Sequence, residues 1–526
     1  MTSVAVMLSR VTGLAREIAF ATLFGAGMQY DAFIAAFRIP NLFRDLLAEG
    51  ALSSAFVTTF SQQLSRNGDE AAFRLSNRLT TVLTPVIVAI TALAMILAPQ
   101  IVDLVFPGFA AVPGKRELTV HLSRIMAPFL LFVALAAKAM GVLNAKGRFG
   151  IPALASACFN VASLASGLLI GFALGPSLGI EPIAGMAVGV TLGGLAQYLW
   201  QVPSMRQVGL RFRPDLALDD PALRHVIRLM GPAVVGAAAV QVNVVVNSVF
   251  ASEITNAAGE VIDGPVAWLG YAFRFMQLPL GLFGVAIASA TLPAVSRSAA
   301  QGRMADFRDT LSRSLGLVFL LTLPAAAGLI VLSRSIVGVV YQHGRFTAFD
   351  TEQTSMALSA YCLGLIGYAG VKVLTPSFYA LDEVRLPAAV AVLSIFVNYG
   401  LNWAAVRALG WGHAGLALAT AAVATINFIV LFLAMRRRAD GLHGRRIFEG
   451  LVKIGTATAA MAAVVWFVSG QIRGWLGDDF AGRALDLAVS TPLGVAVLYA
   501  VSRALRVDEL ELALQAVLGR FKKRRT

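Results

Sequence analysis

The feature that most constrains this chain is a series of long apolar runs. Clear examples are Val82–Leu97, Phe129–Leu143, Leu317–Leu332 and Leu416–Met435. Such runs approach the ~20 residues that an α-helix needs to cross the hydrocarbon core of a bilayer. Backbone polar groups find no water there, so only helices and closed barrels can span it. Because these runs are longer than barrel strands, the sequence predicts an all-α polytopic membrane protein.

The alternation of apolar runs and polar connections predicts about 14 transmembrane helices. Charged residues make up only 14% of the chain, against about 25% in soluble domains. A short amphipathic segment and a basic tail follow the last helix. The predicted spans are 3–24, 31–62, 71–106, 117–145, 150–174, 182–205, 222–252, 264–296, 306–331, 350–380, 385–407, 412–437, 447–470 and 482–506.

Positive charge is concentrated in alternate connections between these helices. The formal net charge of +14 would suggest nucleic-acid binding in a soluble protein. Here every second connection is rich in arginine, whereas the others are neutral, mixed or acidic. Basic loops remain on the cytoplasmic side of a membrane. The pattern therefore predicts a multi-pass protein with both termini cytoplasmic. It also accounts for the net positive charge without nucleic-acid binding.

The sequence also repeats itself at a spacing of about 235 residues. Ala36-Phe37-Arg38 matches Ala272-Phe273-Arg274, and Ile151-Pro152-Ala153 matches Leu386-Pro387-Ala388. Each repeat holds about six helices, and an even number returns the chain to its starting side. Repeats of this kind are related by an axis along the membrane normal, with substrate sites between them.

The repeat predicts three parts of the chain. Residues 1–221 form an N-lobe with helices 1–6, and residues 222–440 form a C-lobe with helices 7–12. Residues 441–526 lie outside the repeat and contain the last two helices and a basic cytoplasmic tail.

Charged residues inside the predicted first, second and eighth helices point to a ligand site. A charge at mid-bilayer costs about 2.5–3.5 kcal/mol on insertion scales, so such residues usually serve a function. Guanidinium groups match phosphate oxygens in pairs, and we expect a cavity that binds a phosphate-bearing anion. Some internal pairing is also expected, such as Arg10 or Arg16 with Asp31 or Glu49. The charged set comprises Arg10, Arg16, Arg38, Arg44, Arg274, Glu17, Asp31, Asp45 and Glu49.

Most of the charge on the second helix falls on one stripe, which contains Asp31, Arg38, Asp45 and Glu49 at about 100° per residue. Arg44 points away from this stripe in an ideal helix. Pro40 removes a backbone donor and is expected to bend the helix so that Arg44 turns to the cavity.

Three other cations have a simpler interpretation. Lys138, Lys372 and Arg124 lie near predicted helix ends, where long side chains extend to the membrane interface. No Walker motif, Ser/His/Asp set or metal-ligand spacing appears in the sequence, so we expect no catalytic residue, no metal site and no enzymatic activity.

Several motifs together resemble those of one family. They begin with Ser9-Arg10-Val-Thr-Gly13-Leu-Ala-Arg16-Glu17 and continue with Asp31-Ala-Phe-x-x-Ala-Phe-Arg38-Ile-Pro40-Asn41-Leu-x-Arg44 and Ala48-Glu49-Gly50. With these motifs the chain resembles the MurJ (MviN) lipid II flippase family of the MOP exporter superfamily. The resemblance covers nearly the whole chain, through Gly231-Pro232, Tyr271-Ala-x-Arg274, Leu292-Pro293 and Phe346-Thr-Ala-Phe-Asp350.

This resemblance implies two six-helix lobes and two extra helices that form a groove for a lipid tail. It implies transport of lipid II, undecaprenyl-pyrophosphoryl-MurNAc-pentapeptide-GlcNAc, from the cytoplasmic to the periplasmic leaflet of the bacterial inner membrane for peptidoglycan synthesis. The family's pyrophosphate-binding arginines match Arg10, Arg16, Arg44 and Arg274. Its acidic positions match Asp31 and Glu49, and Arg38 and Glu17 complete the set of cavity or gating charges.

The resemblance also bears on energy coupling. A sodium site described for part of the family would fall near Asn247, Asn398, Asn402 and Thr420, where this chain has amides in place of some carboxylates. The alternative is that these amides form interhelical hydrogen bonds, which is the commoner role of such residues. We expect no cofactor, with Na+ or the membrane potential as the source of coupling.

Other functions explain the sequence less well. A related exporter of another polyprenyl-pyrophosphate-linked sugar, of the O-antigen type, is the alternative transport hypothesis. A membrane glycosyltransferase would need an acidic catalytic pair in a large outer loop, which the sequence lacks. A scaffold for division proteins would leave the arginines without a purpose. The expected partners are lipid II, membrane lipids and cell-wall synthesis or division proteins.

Overall fold

The computed structural model describes residues 2–46 and 53–514, and these consist of helices joined by short turns. Their only β-structure is an isolated bridge between Thr255 and Val261. The chain divides into two compact units, which we call unit 1 (Met1–Ala267) and unit 2 (Trp268–Thr526). The all-α prediction is confirmed.

The described helices of unit 1 range in length from 4 to 44 residues. They are α1 (Thr2–Phe24), α2 (Met28–Arg44), α3 (Ser53–Ile96), α4 (Ala98–Val105), α5 (Lys115–Met126), α6 (Phe129–Ala145), α7 (Gly150–Leu168), α8 (Gly175–Leu178), α9 (Pro182–Leu199), α10 (Val202–Gln207) and α11 (Pro221–Ser252). A 3₁₀ turn at Pro107–Ala111 precedes α5, and a π turn at Leu169–Leu174 follows α7.

The helix that follows, α12 (Pro265–Pro279), begins at the boundary between the units. Unit 2 then contains α13 (Val285–Ala300), α14 (Met304–Val331), α15 (Ser333–Tyr341), α16 (Ala348–Cys362), α17 (Leu365–Tyr379), α18 (Arg385–Trp403), α19 (Gly412–Arg438), α20 (Gly444–Leu476) and α21 (Phe480–Ala504). Residues 508–514 form a further helical turn. Two π turns, Leu280–Gly284 and Ala404–Ala408, follow α12 and α18.

Length and apolar composition identify membrane spans among these helices. In the described part of the chain, ten helices are long and apolar enough to cross a membrane, or eleven if α16 and α17, bent by 44°, are one span. The charge-bearing α1 and α2 are not among the ten. A polytopic membrane protein is thus confirmed, while the number of about 14 spans stays a prediction.

Several predicted helices are divided by glycine or proline. The predicted break between residues 62 and 71 lies at Gly68, whose φ of 77° and ψ of −176° are rarely adopted by residues with a side chain. The predicted helix 71–106 divides into α3 and α4 near Pro99. The predicted helix 117–145 divides at Pro128, which has no amide hydrogen to continue the helix.

The sequence repeat has a counterpart in the order of elements. Short α4 followed by the pair α5 and α6 corresponds to short α15 followed by the pair α16 and α17. The π turns that begin at Leu169 and Ala404 differ by 235 in residue number. The π turns that begin at Asp45 and Leu280 differ by the same 235.

Each unit has its own apolar core. In unit 1 one cluster surrounds Phe56 and Phe60, which are fully buried and pack with side chains of α6 and α11. In unit 2 another cluster surrounds Phe307 and Phe378, and it includes Ile454 of α20. The helices that lie outside the sequence repeat therefore contribute to the core of unit 2.

Candidate substrate-binding site

The first predicted arginines lie on α1. Arg10 is exposed, whereas Arg16 is half-buried. The guanidinium carbon of Arg16 lies 5.2 Å from the centroid of the Phe159 ring on α7, within the range of a cation–π interaction. Glu17, the next residue, has a relative exposure of only 9%. The aromatic contact orients Arg16 while its side chain remains partly accessible.

Arg38 on α2 is held by α11 of the same unit. Its Nη1 donates to the Oγ of Ser248 at 2.8 Å. Ser248 is fully buried, and its own hydroxyl donates to the carbonyl of Val244 at 2.7 Å. A neutral hydroxyl satisfies one donor of the guanidinium without neutralising its charge.

Arg44 ends α2, which continues through the buried Pro40. Its Nε and Nη2 donate to Oδ1 of the adjacent Asp45 at 3.1 and 2.9 Å. The side chains are 30% and 36% exposed, so the pair remains accessible to a ligand. Glu49, the last acid of the predicted stripe, lies outside the described residues.

Asp31 is the most buried charge of the predicted set. Its Oδ2 accepts from Lys115 Nζ and from the backbone N–H of Gly264, both at 2.8 Å. Its Oδ1 accepts from the N–H of Ala267 at 2.8 Å. The first turn of a helix has N–H groups without intrahelical partners, so Asp31 caps the start of α12. Lys115 also donates to Asp263 at 2.8 Å.

The structure corrects the expected pairing of Asp31 with Arg10 or Arg16, because its partner is Lys115. The positions of these residues along their helices explain why Asp31 does not pair with Arg10 or Arg16. At 1.5 Å per residue, Arg16 lies about 12 Å from the end of α1, whereas Asp31 lies only about 5 Å into α2. The sequence contained one signal for Lys115: a lysine at the first position of a helix opposes the helix dipole and needs a partner.

Arg274 of unit 2 is exposed on α12. An aromatic cluster buries the adjacent face of that helix. The Tyr271 ring lies 4.6 Å from the Tyr341 ring, and the Phe275 ring lies 5.3 Å from Tyr341. Because Arg274 lies about 100° around the helix from Phe275, packing of the aromatic face fixes α12 and leaves the guanidinium accessible.

Unit 2 has a polar contact at the position that corresponds to Lys115, since Asp350 lies 235 residues after it. Trp268 Nε1 donates to Oδ1 of Asp350 at 2.9 Å. Asp350 Oδ2 also accepts from the backbone N–H and hydroxyl of Thr347, which makes a capping box at the start of α16. Unit 1 therefore has a buried cation at this position, whereas unit 2 has a carboxylate that accepts from neutral donors.

One expected interface lysine is buried instead. Lys138 is only 7% exposed, and its Nζ donates to the hydroxyl of Thr80 at 2.7 Å. The expectation that it extends to the interface is wrong, because α3 packs across this face of α6. Lys372 and Arg124 are exposed, and Arg124 Nε donates to the carbonyl of Met95 at 3.1 Å.

The predicted cation-site residues are distributed over both units. Asn247 lies on α11 of unit 1. In unit 2, Asn398 and Asn402 are buried on α18, with Asn402 Nδ2 donating to Asn398 Oδ1 at 3.4 Å. The hydroxyl of Thr420 on α19 donates to the carbonyl of Leu416 at 2.9 Å. In the described part of the chain no group of three His, Cys, Asp or Glu side chains could hold a metal ion.

Comparison with known families gives one match across most of the chain. The family described as "Lipid II flippase MurJ" matches residues 20–481. A "Probable lipid II flippase MurJ" of Haemophilus influenzae is 33% identical over 91% of this chain and 93% of its own length. A "Lipid II flippase MurJ" of Burkholderia cenocepacia is 34% identical over 82% of each chain.

Solved structures of the same superfamily share the fold. A "Lipid II flippase MurJ, inward closed conformation" has a TM-score of 0.77 and 25% identity, and covers 97% of this chain and 99% of its own. An inward-facing multidrug resistance MATE family transporter of the MOP superfamily has a TM-score of 0.69 at 16% identity over 82% of this chain and 95% of its own, which shows a shared fold alone.

The arginine-bearing motifs of α1, α2 and α12 agree with three findings. These are the family match, the relatives above 30% identity and the polytopic helical fold. The chain belongs to the MurJ family of lipid II flippases.

Proposed function

We propose that this protein flips lipid II from the cytoplasmic to the periplasmic leaflet of the bacterial inner membrane for peptidoglycan synthesis. The observation that carries the proposal is family membership over residues 20–481, together with relatives named as lipid II flippases. The same relatives favour lipid II over an O-antigen-type lipid as the cargo. The protein acts as a transporter, with no covalent chemistry of its own.

The pyrophosphate of lipid II binds Arg10, Arg16, Arg44 and Arg274 in this proposal. Arg10 and Arg274 are exposed, and Arg16 and Arg44 are half-buried, so all four guanidinium groups lie at accessible surfaces of their units. Arginine presents paired N–H donors that match phosphate oxygens and keeps its charge at every physiological pH. Arg38, Asp31, Glu17 and Glu49 set the charge balance around these groups.

Alternating access supplies the transport cycle. The headgroup enters a chamber open to the cytoplasm, the polyprenyl tail stays in lipid beside α20 and α21, and the chamber then opens to the periplasm. The protein needs no cofactor. The membrane potential acts on net positive charge in the chamber at about 2.3 kcal/mol per charge per 100 mV. Sodium bound near Asn247, Asn398, Asn402 and Thr420 is the alternative source of coupling.

Topology and partners follow from the same proposal. Both termini lie in the cytoplasm, because the basic connections and the basic tail are retained there. Membrane lipids contact the apolar helix surfaces. Cell-wall synthesis or division proteins are the expected protein partners, since they use the lipid II delivered to the periplasm.

The test replaces individual arginines in cells that depend on this protein. We expect Arg16→Ala, Arg44→Ala and Arg274→Ala to leave lipid II in the cytoplasmic leaflet, as measured by its accessibility to a periplasmic enzyme. Loss of one charge-assisted contact costs about 1.5–3 kcal/mol, or roughly 10- to 150-fold in binding. Arg44→Lys, which keeps the charge without the paired donors, should recover only part of the transport.

Arg124→Ala is the matched control, because Arg124 is an exposed arginine that bonds only a backbone carbonyl. It should support normal growth and normal periplasmic exposure of lipid II. Folding of every variant is checked by its membrane level and its thermal unfolding midpoint. Arginine-to-alanine variants that fold and still sustain periplasmic exposure would refute the proposed anion site.

A further inference from the structure

A carboxylate surrounded by hydroxyl groups lies inside unit 2, away from every residue assigned above. Asp486 on α21 is fully buried. Its Oδ2 accepts from the hydroxyl of Ser335 at 2.5 Å and from the hydroxyl of Ser469 at 2.8 Å. Its Oδ1 accepts from the hydroxyl of Ser490 at 2.7 Å. The three serines come from α15, α20 and α21, so three helices meet at one carboxylate.

No cation accompanies this carboxylate among its described partners. Arg483, one turn earlier on α21, gives Nε and Nη2 to the carboxylate of Asp478 at 2.8 Å each and Nη1 to Gln342. Asp486 lies about 9 Å along α21 from Phe480, inside an apolar span. None of the hydrogen bonds to Asp486 comes from another charged side chain of the three helices that meet there. The charged side chains on α15, α20 and α21, apart from Asp486, are Arg334, Arg445, Arg446, Glu449, Lys453, Arg473, Arg483 and Arg503.

A buried carboxylate without a positive partner destabilises the folded state at this position. Burial of an isolated charge costs several kcal/mol unless it is paired. Three hydroxyl dipoles offset part of that cost, but they supply no positive charge. A hydroxyl has two lone pairs and a rotatable proton, so each serine can donate to the carboxylate or turn its oxygen towards a cation. The two carboxylate oxygens and three hydroxyl oxygens form a set of hard ligands.

We propose that Asp486, with Ser335, Ser469 and Ser490, binds one Na+ ion. One carboxylate balances one positive charge, which favours a monovalent over a divalent ion. Cations of this kind are coordinated by oxygen ligands. The site is separate from the amides on α18. It does not depend on lipid II transport, because the ion binds within the α15, α20 and α21 group itself.

Occupancy of the site couples to the packing of the last two helices. Ser335 belongs to α15, whereas Ser469 and Asp486 belong to the α20–α21 hairpin. A bound cation removes the cost of the buried charge and so stabilises the docked hairpin. A ligand that binds only the folded state raises stability as its concentration rises, which makes the site measurable without lipid II.

The experiment measures thermal unfolding of the purified full-length protein without lipid II. NaCl replaces choline chloride at constant ionic strength and constant pH. The Tm of the wild type should rise by about 1–3 °C per tenfold increase in Na+ above the Kd. Asp486→Asn should lose this response.

A second variant keeps the test decisive if Asp486→Asn does not fold. Ser469→Ala removes one hydroxyl ligand, so it should move the Na+ response to a higher concentration. The control is Ser377→Ala, since Ser377 is a buried serine whose hydroxyl donates only to the carbonyl of Val373.

Three results would overturn the site. A wild-type Tm that does not respond to Na+ would exclude the bound cation. A response that Asp486→Asn retains in full would place the cation elsewhere. Equal responses of Ser469→Ala, Ser377→Ala and the wild type would exclude the hydroxyls as ligands. None of these results concerns lipid II, so they leave the proposed transport function to its own test.

Discussion

Single residues decide how this chain tolerates charge in an apolar interior. Lys115 and Asp31 are 1% and 0% exposed, and Lys115 is the cation that compensates the charge of Asp31. The Lys115 ammonium also lies 4.3 Å from the centroid of the Phe109 ring. A buried pair of this kind adds little net stability, yet removal of one partner leaves an uncompensated charge. The pair therefore acts mainly to fix Gly264 and Ala267, which Asp31 caps.

Replacement of Lys115 should be strongly destabilising. We expect Lys115→Met to lower the free energy of unfolding by about 3–5 kcal/mol, because Asp31 keeps its burial and loses its cation. The double variant Asp31→Asn with Lys115→Met should recover part of that loss, since the only carboxylate that then lacks its cation is Asp263, which is 38% exposed to solvent. Thermal unfolding of the detergent-purified protein measures both changes.

Arg116→Ala is the control for this prediction, because Arg116 is the next residue and forms an exposed ion pair. Its Nε and Nη2 bond Asp103 at 2.6 and 2.7 Å and hold the pKa of that carboxyl below its usual range. Exposed pairs contribute about 0–1 kcal/mol. A Lys115→Met variant as stable as Arg116→Ala would contradict the assigned role of Lys115.

At the scale of elements, α21 is attached to α15 by two polar contacts. One is Ser335 with Asp486, and the other places Arg483 against Gly338 and Gln342. A Cβ added at Gly338 would lie 2.5 Å from Nη1 and 2.7 Å from Cδ of Arg483, so a side chain at this position would require Arg483 to move. Gly338 thus leaves the room that Arg483 occupies beside α15.

Gly338→Ala should loosen α21 from α15. The added methyl displaces Arg483 from Gln342, and we expect a lower Tm and faster cleavage of the loop at residues 477–479 by an added protease. Gly470→Ala on α20 is the matched control, since a Cβ there would meet no atom within 4 Å. Equal protease sensitivity of the two variants would show that Arg483 does not hold the hairpin.

A second contact of Arg483, its ion pair with Asp478, makes the stability of the folded protein depend on pH. Hydrogen bonds from Arg483 hold the pKa of Asp478 below its ordinary value. A carboxyl with a lower pKa in the folded state stabilises that state above its unfolded pKa of about 3.9. This contribution is lost as the pH falls through the folded value.

Asp478→Asn should therefore have a lower Tm than the wild type at neutral pH, and the difference should shrink below about pH 4. Glu352→Gln, which removes one partner of an exposed ion pair with Arg334, should show a much smaller difference at neutral pH. A Tm difference for Asp478→Asn that stays constant through the acid range would refute the assigned contact.

At the scale of the whole molecule, the sequence predicts the repeat and the membrane class because both depend on local composition and order. The paired elements and the π turns, 235 residues apart, follow that repeat. The partners of Asp31 and Asp486 could not be identified from the sequence, because Lys115 and Ser335 lie 84 and 151 residues away from them. The position of Lys115 at the start of a helix indicates that it needs a partner, but not which one. The burial of Lys138 could not be predicted either, because its distance from a helix end does not reveal what packs over it.

The last two helices should be indispensable to unit 2. Ile447, Ile454 and Val507 belong to the same core as Phe307 and Phe319. A chain truncated after Asp440 loses these side chains, and we expect it to aggregate or to accumulate poorly in membranes. Truncation after Leu514 retains all of them and should leave the Tm unchanged. A monodisperse 1–440 protein with the wild-type Tm would show that the core does not need α20 and α21.

The matching π turns have a consequence for ancestry. A π turn forms where a helix holds one residue more than its regular pitch requires, and it is rare outside sites that use it. The π turn that begins at Asp45 recurs at Leu280, and the π turn that begins at Leu169 recurs at Ala404. Both recur at the same offset of 235 residues. Independent insertions would not preserve that register twice. Both insertions were therefore already present in a single ancestral half before its gene was duplicated and fused.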